Sequence, residues 1–372
     1  MEPLRDIIES YDPAVELPYA STIPASWYID PRVHDAERQT VFSRSWQVAA
    51  RLGQVGEPGQ FATCELPAGE PFVAVRGHDG VLRGFFNVCR HHAAAVVTQP
   101  QGTAQVLRCP YHGWTYALDG SLKGTPDFTG VCGFDRAANA LPLIDTRAWE
   151  HWVMARLDAR APALEDFLGT DLIARVHAIG LQRFHWLERR RYVLDCNWKV
   201  FVDNYLDGGY HVPHLHKGLD SVLDYQQYTI ENGERFCVQS SPLVVEGAEP
   251  ATGAVRSGER AWYLWIYPNF MINVYGDAMD TNLVVPLGVD RTEVLFDFYF
   301  AELSDAAATR NRASIEVSDR IQREDQDICA SVQRGLRSRA YRAGRLSVRR
   351  EAGEHLFHRL LSHDLRRFDE LG

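Results

Sequence analysis

Two short cysteine–histidine clusters have the residue types and spacing of metal ligands. Cys89 and His91 are separated by one residue, Cys109 and His112 by two, and seventeen residues lie between the clusters. Two thiolates and two imidazoles could hold one zinc ion. Each cluster, however, donates one cysteine and one histidine, which suits a two-iron centre with both cysteines on one iron and both histidines on the other. His92 also follows Cys89, so the first cluster offers a second imidazole.

A second group of ligand types lies in the stretch NWKVFVDNYLDGGYHVPHLHK. On a helix, Asp207 and His211 would share a face because they are four residues apart, and so would His211 and His214, three apart. His216 is five residues from His211, but Pro213 cannot continue a helix, so a break near it would let His216 return to that side. Geometry alone leaves His214 and His216 as alternatives. Such a cluster more often marks a site than a buried polar helix.

The first stretch closely resembles the Rieske family, through its Cys-x-His and Cys-x-x-His clusters with Tyr111 and the Gly113-Trp114 tail. The resemblance implies a [2Fe-2S] cluster, whose ligands would be Cys89, His91, Cys109 and His112. It leaves His92 beside the cluster or at the surface. The outer nitrogens of the two histidine ligands would give electrons a route to solvent or to another protein.

The second stretch is similar to Rieske-type oxygenases, which carry His-x4-His for a mononuclear iron(II). His211 and His216 match this spacing. The resemblance implies that a carboxylate from the later stretch QREDQDIC completes a 2-His-1-carboxylate triad. Asp325 is the predicted third ligand, and Asp327 and Glu324 are the neighbouring alternatives.

An acid that bridges a Rieske histidine to an iron-ligand histidine, commonly across a subunit boundary, is also implied by the resemblance. Asp207 is the candidate, and Asp203 is the weaker alternative. Many relatives have this acid three residues before the histidine, where this chain has Gly208. Asp207 lies four residues before His211, so the turn contains an additional glycine.

The resemblance narrows to the choline monooxygenase branch through DNYLDGGYHVPHLHKGL, CRHHA, YPNFMINVYG and MDTNLVVPLG. It implies an enzyme that takes electrons from NAD(P)H through a separate flavin or iron–sulfur reductase or a ferredoxin, and uses O2. The predicted reaction is hydroxylation of a small quaternary ammonium substrate, choline to betaine aldehyde hydrate. The alternatives are N-demethylation of a related methylated amine, hydroxylation of an aromatic substrate, or electron transfer alone. A homotrimer with head-to-tail contacts is expected.

A quaternary ammonium substrate calls for an aromatic cage, because a trimethylammonium group donates no hydrogen bonds and is held by ring faces. The stretch AWYLWIYPNFMINVY, taken as one strand, places Tyr263, Trp265 and Tyr267 on one face. Tyr205 and Tyr210 lie beside the iron motif. These five are the predicted substrate-binding residues, and an ordinary aromatic core is the alternative explanation of the strand.

The elements that must position these residues predict an α+β protein in three parts. Residues 1–45 form an N-terminal arm with a short helix. Residues 46–158 show short alternating runs broken by turns, including a hairpin at Asp119-Gly120, which indicates an antiparallel β domain, the Rieske domain. Residues 159–372 mix strands with helices, including a long helix over 306–336. The resemblance implies a helix-grip (START-like) catalytic domain with a curved antiparallel sheet.

Composition limits the function classes further. A formal charge of −10 argues against general nucleic-acid binding. No apolar run reaches the ~18 residues that a membrane span needs. The seven scattered cysteines indicate reduced thiols and a metal site rather than a disulfide framework. The N-terminal segment lacks the basic and apolar regions of a signal peptide. A cytoplasmic protein without nucleic-acid or membrane partners is therefore expected.

Overall fold

The computed structural model describes residues 2–244, 250–256 and 258–371. The chain forms two compact units: the smaller is Phe42–Phe167, and the larger combines the residues up to Val41 with those from Leu168 onward. The N-terminal segment is thus part of the larger unit rather than a separate arm, and the smaller unit extends past the predicted end at Asp158. The predicted α+β class is confirmed, because antiparallel sheets combine with packed helices.

The smaller unit is built from two antiparallel sheets. Its strands are β1 (Gln47–Arg51), β2 (Gln60–Leu66), β3 (Glu70–Arg76), β4 (Leu82–Phe86), β5 (Gln101–Thr103), β6 (Leu107–Arg108), β7 (Thr115–Tyr116), β8 (Leu122–Gly124), β9 (Leu143–Trp149) and β10 (Trp152–Arg156). The larger sheet has the order β1-β10-β9-β4-β3-β2-β5 and the smaller one β6-β7-β8. The predicted hairpin is β7–β8, where Gly120 adopts a φ of 84°.

Alternation along β3 divides the smaller unit into two cores. Phe72 and Ala74 pack into one hydrophobic cluster, and Val73 and Val75 into another. Successive side chains of a strand point to opposite faces, so one strand can supply both cores. The second cluster also contains Cys89 and Cys109. The predicted cysteine ligands are therefore held against a packed core.

The larger unit contains one seven-stranded antiparallel sheet. Its strands are β11 (His185–Leu194), β12 (Thr229–Asn232), β13 (Phe236–Pro242), β14 (Arg260–Ile266), β15 (Phe270–Tyr275), β16 (Ala278–Gly288) and β17 (Arg291–Phe300), in the order β11-β17-β16-β15-β14-β13-β12. The aromatic stretch predicted as one strand is two strands, β14 and β15. Pro268 lies in the turn between them, where its missing N–H removes no bond from the sheet.

The helices belong mainly to the larger unit. They are α1 (Leu4–Glu9), α2 (Ala25–Ile29), α3 (Pro31–Glu37), α4 (Leu164–Ile179), α5 (Trp198–Leu206), α6 (Val212–Leu215), α7 (Lys217–Asp220), α8 (Pro250–Gly253), α9 (Asp305–Leu336) and α10 (Ala352–Leu365). A π-helical turn occupies Arg38–Phe42, and 3-10 turns lie at Leu17–Tyr19, Leu52–Val55, Leu181–Arg183, Tyr225–Gln227 and Arg366–Leu371. Among the described residues, none of these helices is both long and apolar enough to cross a membrane.

Helix α9 confirms the predicted long helix. Its buried residues include Ile315, whereas Ile328 and Val332 are exposed. The buried face instead carries polar side chains such as Ser318 and Asp325. A buried polar face on a long helix indicates that the helix packs against a site as well as against a core.

A buried ion pair joins the N-terminal segment to α5. Lys199 Nζ lies 2.5 Å from Glu37 Oε1, and both side chains are fully buried. The indole Nε1 of Trp198 donates to Glu37 Oε2 at 2.8 Å. Asn197 caps α5, its side-chain oxygen accepting from the Lys199 N–H. The start of α5 is thus fixed from both sides.

Candidate active site

Two equivalent loops present the four predicted cluster ligands in the smaller unit. The N–H of Ala93 donates to the carbonyl of Cys89 at 3.0 Å, and the N–H of Gly113 donates to the carbonyl of Cys109 at 3.1 Å. Ala93 and Gly113 both adopt a positive φ, 59° and 72°. The chain therefore makes the same turn twice, each time with a buried cysteine at the start and a histidine within it.

The side chains in these loops fit a shared iron–sulfur cluster. Burial raises the pKa of Cys109, and the hydrogen bond with the Cys89 thiol raises it further, so a bound cation would stabilise the Cys109 thiolate. The ring centroids of His91 and His112 are 4.7 Å apart. His91 Nδ1 is buried and has no hydrogen-bond partner, as expected of a nitrogen reserved for a metal. His112 and His92 are exposed.

In the larger unit, His211, His216 and Asp325 lie together. One donor atom from each lies within 4.8 Å of the others. His216 Nε2 is 3.0 Å, and His211 Nε2 4.0 Å, from Asp325 Oδ1. His211 immediately precedes α6 and His216 immediately follows it, while Asp325 lies within α9. Two imidazoles and one carboxylate are the donor set of a non-haem iron facial triad.

Two further carboxylates orient the imidazoles. Asp207 Oδ2 lies 2.6 Å from His211 Nδ1, and Glu324 Oε2 lies 2.6 Å from His216 Nδ1. With a metal bound between the three donors, each Nδ1 would donate its proton to the carboxylate that faces it, and each Nε2 lone pair would be free to bind the metal. This carboxylate–histidine arrangement fits a divalent metal between the three donors.

Paired glycines bring Asp207 back to His211. Helix α5 ends at Leu206, and Gly208 and Gly209 adopt φ values of 67° and 69°. A Cβ on Gly208 would lie 2.1 Å from the carbonyl oxygen of Arg350, so glycine alone fits without a backbone shift. The additional glycine therefore allows Asp207, four residues before His211, to contact the His211 ring.

The predicted helix break at Pro213 is wrong. The glycines end the helix earlier, and Pro213 lies in the first turn of α6. A proline is tolerated there because the first-turn N–H groups have no intrahelical partner. The break was expected to bring His216 back to His211, and His216 rather than His214 does lie next to His211.

The alternative ligands lie away from this cluster. His214 and Asp327 are exposed. Asp203 contacts neither iron-site histidine: its Oδ2 accepts from the Tyr28 hydroxyl at 2.5 Å, and its Oδ1 lies 3.0 Å from His358 Nε2. Glu324 contacts the outer nitrogen of His216 and so orients this ligand. The sequence predicts Glu324 only as an alternative to Asp325 for the third iron ligand.

A cavity with aromatic walls opens beside the three donors. Its volume is about 100 Å³. Its aromatic lining consists of Phe201, Tyr205, Tyr228, Tyr263, Tyr275 and Phe296. The Tyr228 and Tyr263 rings stack with centroids 6.3 Å apart, and Tyr275 meets Tyr263 edge-on at 5.6 Å. Burial raises the pKa of Tyr275 to about 12, and those of Tyr228 and Tyr263 well above the usual range, so all three rings are neutral at pH 7.

Of the five predicted substrate-binding residues, Tyr205 and Tyr263 line this cavity. Tyr210 is 48% exposed and does not line it. Trp265 is fully buried and its Nε1 donates to the carbonyl of Pro268. Tyr267 lies beyond the end of β14, and its hydroxyl donates to Asp364 at 2.8 Å. Tyr267 is misplaced because the predicted single strand is a hairpin, whereas Trp265 lies within β14 and is buried in the core.

Sequence reasoning missed two buried charged residues of the cavity, Asp280 and Arg256, which are 4% and 2% exposed. Asp280 Oδ1 accepts from the Asn273 amide at 2.7 Å. Burial raises the pKa of Asp280, while Arg256 and the amide groups oppose that shift. The guanidinium of Arg256 lies 3.9 Å from the centroid of the Tyr275 ring.

Strand register explains how Asp280 reaches the cavity. Tyr263 on β14 is opposite Asn273 on β15, which is opposite Asp280 on β16. Residues directly across antiparallel strands share a face, so this row points into one space. Asn282, two positions after Asp280, lines the same cavity. Polar residues at alternate positions in otherwise apolar strands were the available sequence signal.

Models of known protein families match one region in the smaller unit and one in the larger unit. Residues 45–135 match the family model for the Rieske [2Fe-2S] domain, and residues 181–365 match that for the ring hydroxylating alpha subunit (catalytic domain). Choline monooxygenase, chloroplastic, from Arabidopsis thaliana is 39% identical over 98% of this chain and 87% of its own length. The chain belongs to the Rieske oxygenase alpha subunits.

Other relatives extend the comparison. The carnitine monooxygenase oxygenase subunit of Escherichia coli (strain K12) is 30% identical over 87% of this chain and 86% of its own. A solved quaternary ammonium Rieske monooxygenase is 27% identical, with a TM-score of 0.82 over 98% of this chain and 99% of the other. This Rieske oxygenase alpha subunit is therefore a member of the choline monooxygenase-like branch. It is a Rieske non-haem iron monooxygenase with a [2Fe-2S] cluster, a mononuclear iron and a reductase as its electron source.

Proposed function

We propose that this Rieske oxygenase inserts one atom of O2 into a C–H bond of a small quaternary ammonium compound. The observation that carries the proposal is the position of His211, His216 and Asp325 beside a cavity with aromatic walls. Ring faces attract a trimethylammonium group, which has no hydrogen to donate. Choline, converted to betaine aldehyde hydrate, is the substrate predicted from the sequence. The names of the choline and carnitine monooxygenase relatives support the same chemical class.

The proposal assigns a role to each group of ligands. His211, His216 and Asp325 would hold the mononuclear iron, and Cys89, His91, Cys109 and His112 would hold the [2Fe-2S] cluster. When bound, the cluster supplies electrons and the mononuclear iron supplies the activation of O2. Overall, substrate, O2, two electrons and two protons give hydroxylated substrate and water, so one oxygen atom enters the product.

The residues of the chain bind, orient and exclude water around that chemistry. Asp207 and Glu324 fix the imidazoles of the two histidine ligands through Nδ1. The Asn204 amide donates to Asp325 Oδ1 at 2.9 Å, which limits rotation of this carboxylate. The tyrosine rings, kept neutral by their raised pKa values, would present uncharged faces to the quaternary ammonium group. Each of these contacts restricts motion before the substrate binds.

Electron delivery is the second part of the proposal. Asp207 contacts the outer nitrogen of an iron ligand and is partly exposed, so it is placed to accept a hydrogen bond from a cluster histidine of a neighbouring subunit. Exposure of His112 would allow it to be that histidine. The predicted homotrimer with head-to-tail contacts would supply the neighbour. The reductase or ferredoxin and the predicted cytoplasmic location belong to this proposal as well.

The direct test is product analysis with the purified oxygenase, a competent reductase and O2. A panel of quaternary amines is incubated, and products are identified by mass spectrometry with 18O2. Incorporation of one labelled atom into a quaternary ammonium product is expected. Formaldehyde would indicate that the oxygen enters an N-methyl group instead. Absence of product from every quaternary amine, with turnover of a neutral aromatic compound, would refute the proposed substrate class.

A paired variant tests the iron assignment. His211→Ala should abolish turnover and deplete mononuclear iron while leaving the visible spectrum of the Rieske cluster intact. His214→Ala, which changes an exposed histidine three residues away, is the matched control and should retain both. Full activity of His211→Ala would remove this residue from the ligand set.

A further inference from the structure

Arg256 is a buried cation that forms no ion pair with any carboxylate in the described part of the chain. Its Nη2 donates to Ser318 Oγ at 2.7 Å, and its guanidinium covers one face of Tyr275. Its Nε is buried and has no hydrogen-bond acceptor. Within the described part of the chain, no carboxylate oxygen lies within 4.0 Å of the guanidinium. Most N–H groups of this side chain therefore have no partner among residues 2–244, 250–256 and 258–371, although Arg256 is only 2% exposed.

Such an arrangement is costly unless a ligand completes it. A buried charge is normally paired or fully hydrogen-bonded, because the interior does not replace the water that it loses. Arg256 lines the cavity beside the iron-site residues. A planar guanidinium with free N–H groups is a preferred partner for a carboxylate. The unsatisfied part of Arg256 thus matches an anionic group that enters the cavity from outside.

Asp280 does not supply that anion. Its Oδ1 accepts from the Asn273 and Asn282 amides, at 2.7 and 3.4 Å, and Asp280 forms no ion pair with Arg256. Asp280 belongs to the cross-strand row that includes Tyr263. Arg256 instead contacts Tyr275 and Ser318. The cavity therefore contains one negative and one positive group that form no direct ion pair, although Arg256 acts electrostatically to lower the pKa of Asp280.

We infer that the substrate is a zwitterion, in which a carboxylate accompanies the quaternary ammonium group and is bound by Arg256. The inference rests on the proposed function and narrows it. A substrate with a positive charge alone, such as choline, would be attracted by Asp280 but would leave Arg256 without an anion and would be repelled by it. A carboxylate on the same molecule converts that repulsion into an ion pair, while the ammonium group faces the rings and Asp280.

The experiment compares trimethylammonium compounds that differ in the anion. Glycine betaine and L-carnitine carry a carboxylate, and choline and tetramethylammonium do not. Dissociation constants are measured by calorimetry on the iron-loaded oxygenase, and kcat/KM with the reductase present. Wild type should prefer the carboxylated compounds by at least about tenfold in both quantities. A preference for choline would overturn the inference.

Variants at Arg256 separate the anion contact from general damage to the cavity. Arg256→Gln should weaken binding of the carboxylated compounds roughly 10- to 150-fold, the range for a charged hydrogen bond, and leave choline binding unchanged or tighter. Arg256→Lys should recover part of the loss, and Arg310→Gln, at an exposed position of α9, should change nothing. An equal loss for choline and glycine betaine in Arg256→Gln would refute the anion contact.

The outcomes distinguish the two proposals. If choline is oxygenated well and Arg256→Gln does not discriminate, the zwitterion inference fails and the proposed function stands. If no quaternary compound in the panel binds or is oxygenated, the proposed function fails and the inference with it. Should Arg256→Gln not fold, as judged by the Rieske spectrum and circular dichroism, the wild-type preference between glycine betaine and choline decides the matter.

Discussion

Replacing Gly208 by alanine tests whether this turn positions the iron-site acid. The φ of 67° costs an alanine about 1–2 kcal/mol. Its Cβ would also lie 2.1 Å from the carbonyl oxygen of Arg350, where ordinary contact begins at 3.4 Å, so backbone must move by more than about 1 Å. Such overpacking costs about 1–3 kcal/mol. Gly208→Ala should therefore lose about 2–5 kcal/mol of unfolding free energy.

Gly209→Ala is the matched control. Gly209 has almost the same φ, 69°, but its Cβ would meet only the side chain of Tyr228, at 3.1 Å or more. The loss should stay near the cost of the backbone conformation, about 1–2 kcal/mol. Differential scanning calorimetry of the holoenzyme should give Gly208→Ala a Tm about 2–12 °C below that of the control. Equal Tm values would show that the close approach to Arg350 does not constrain the turn.

Three further predictions concern individual contacts. Asp207→Asn should slow single-turnover electron transfer between the centres at least about tenfold without emptying either, and an unchanged rate would reject the bridge. Glu324→Gln should weaken mononuclear iron binding about 10- to 100-fold in a metal titration, whereas Asp327→Asn should not; equal affinities would exclude the orienting role. Lys199→Met should destabilise the larger unit by about 3–5 kcal/mol in denaturant unfolding, and adding Glu37→Gln should restore part of the loss; a stable single variant would contradict the buried-pair argument.

Spacing in the sequence was sufficient to predict the metal ligands that lie close together along the chain. Cys89 and His91 are neighbours in sequence, as are His211 and His216, so the turns that join them also bring them together. Asp325 was found through its motif, although only the packing of α9 brings it to the histidines. The α+β class followed similarly from alternating runs and one long periodic segment. In each case the pattern lies within one element or turn.

The cavity was less predictable because its residues come from separate elements. Tyr228 precedes β12, Arg256 follows α8, and Asp280 lies on β16. Their meeting depends on strand order and register, which a single sequence does not specify. The aromatic stretch was misplaced for a related reason: alternation predicts which residues share a face only while the strand is unbroken, and a turn at Pro268 separates Tyr267 from it.

The division of the chain has a consequence for synthesis on the ribosome. The unit with the paired cysteine loops is continuous in sequence, Phe42–Phe167, so it can complete its fold while later segments are still being made. The other unit is discontinuous: Glu37 is made early, but its partner Lys199 emerges much later. Until Lys199 is synthesised, Glu37 cannot form this ion pair. The order of translation therefore favours folding of the smaller unit, which has the cluster ligands, before the larger unit, which has the iron-site residues.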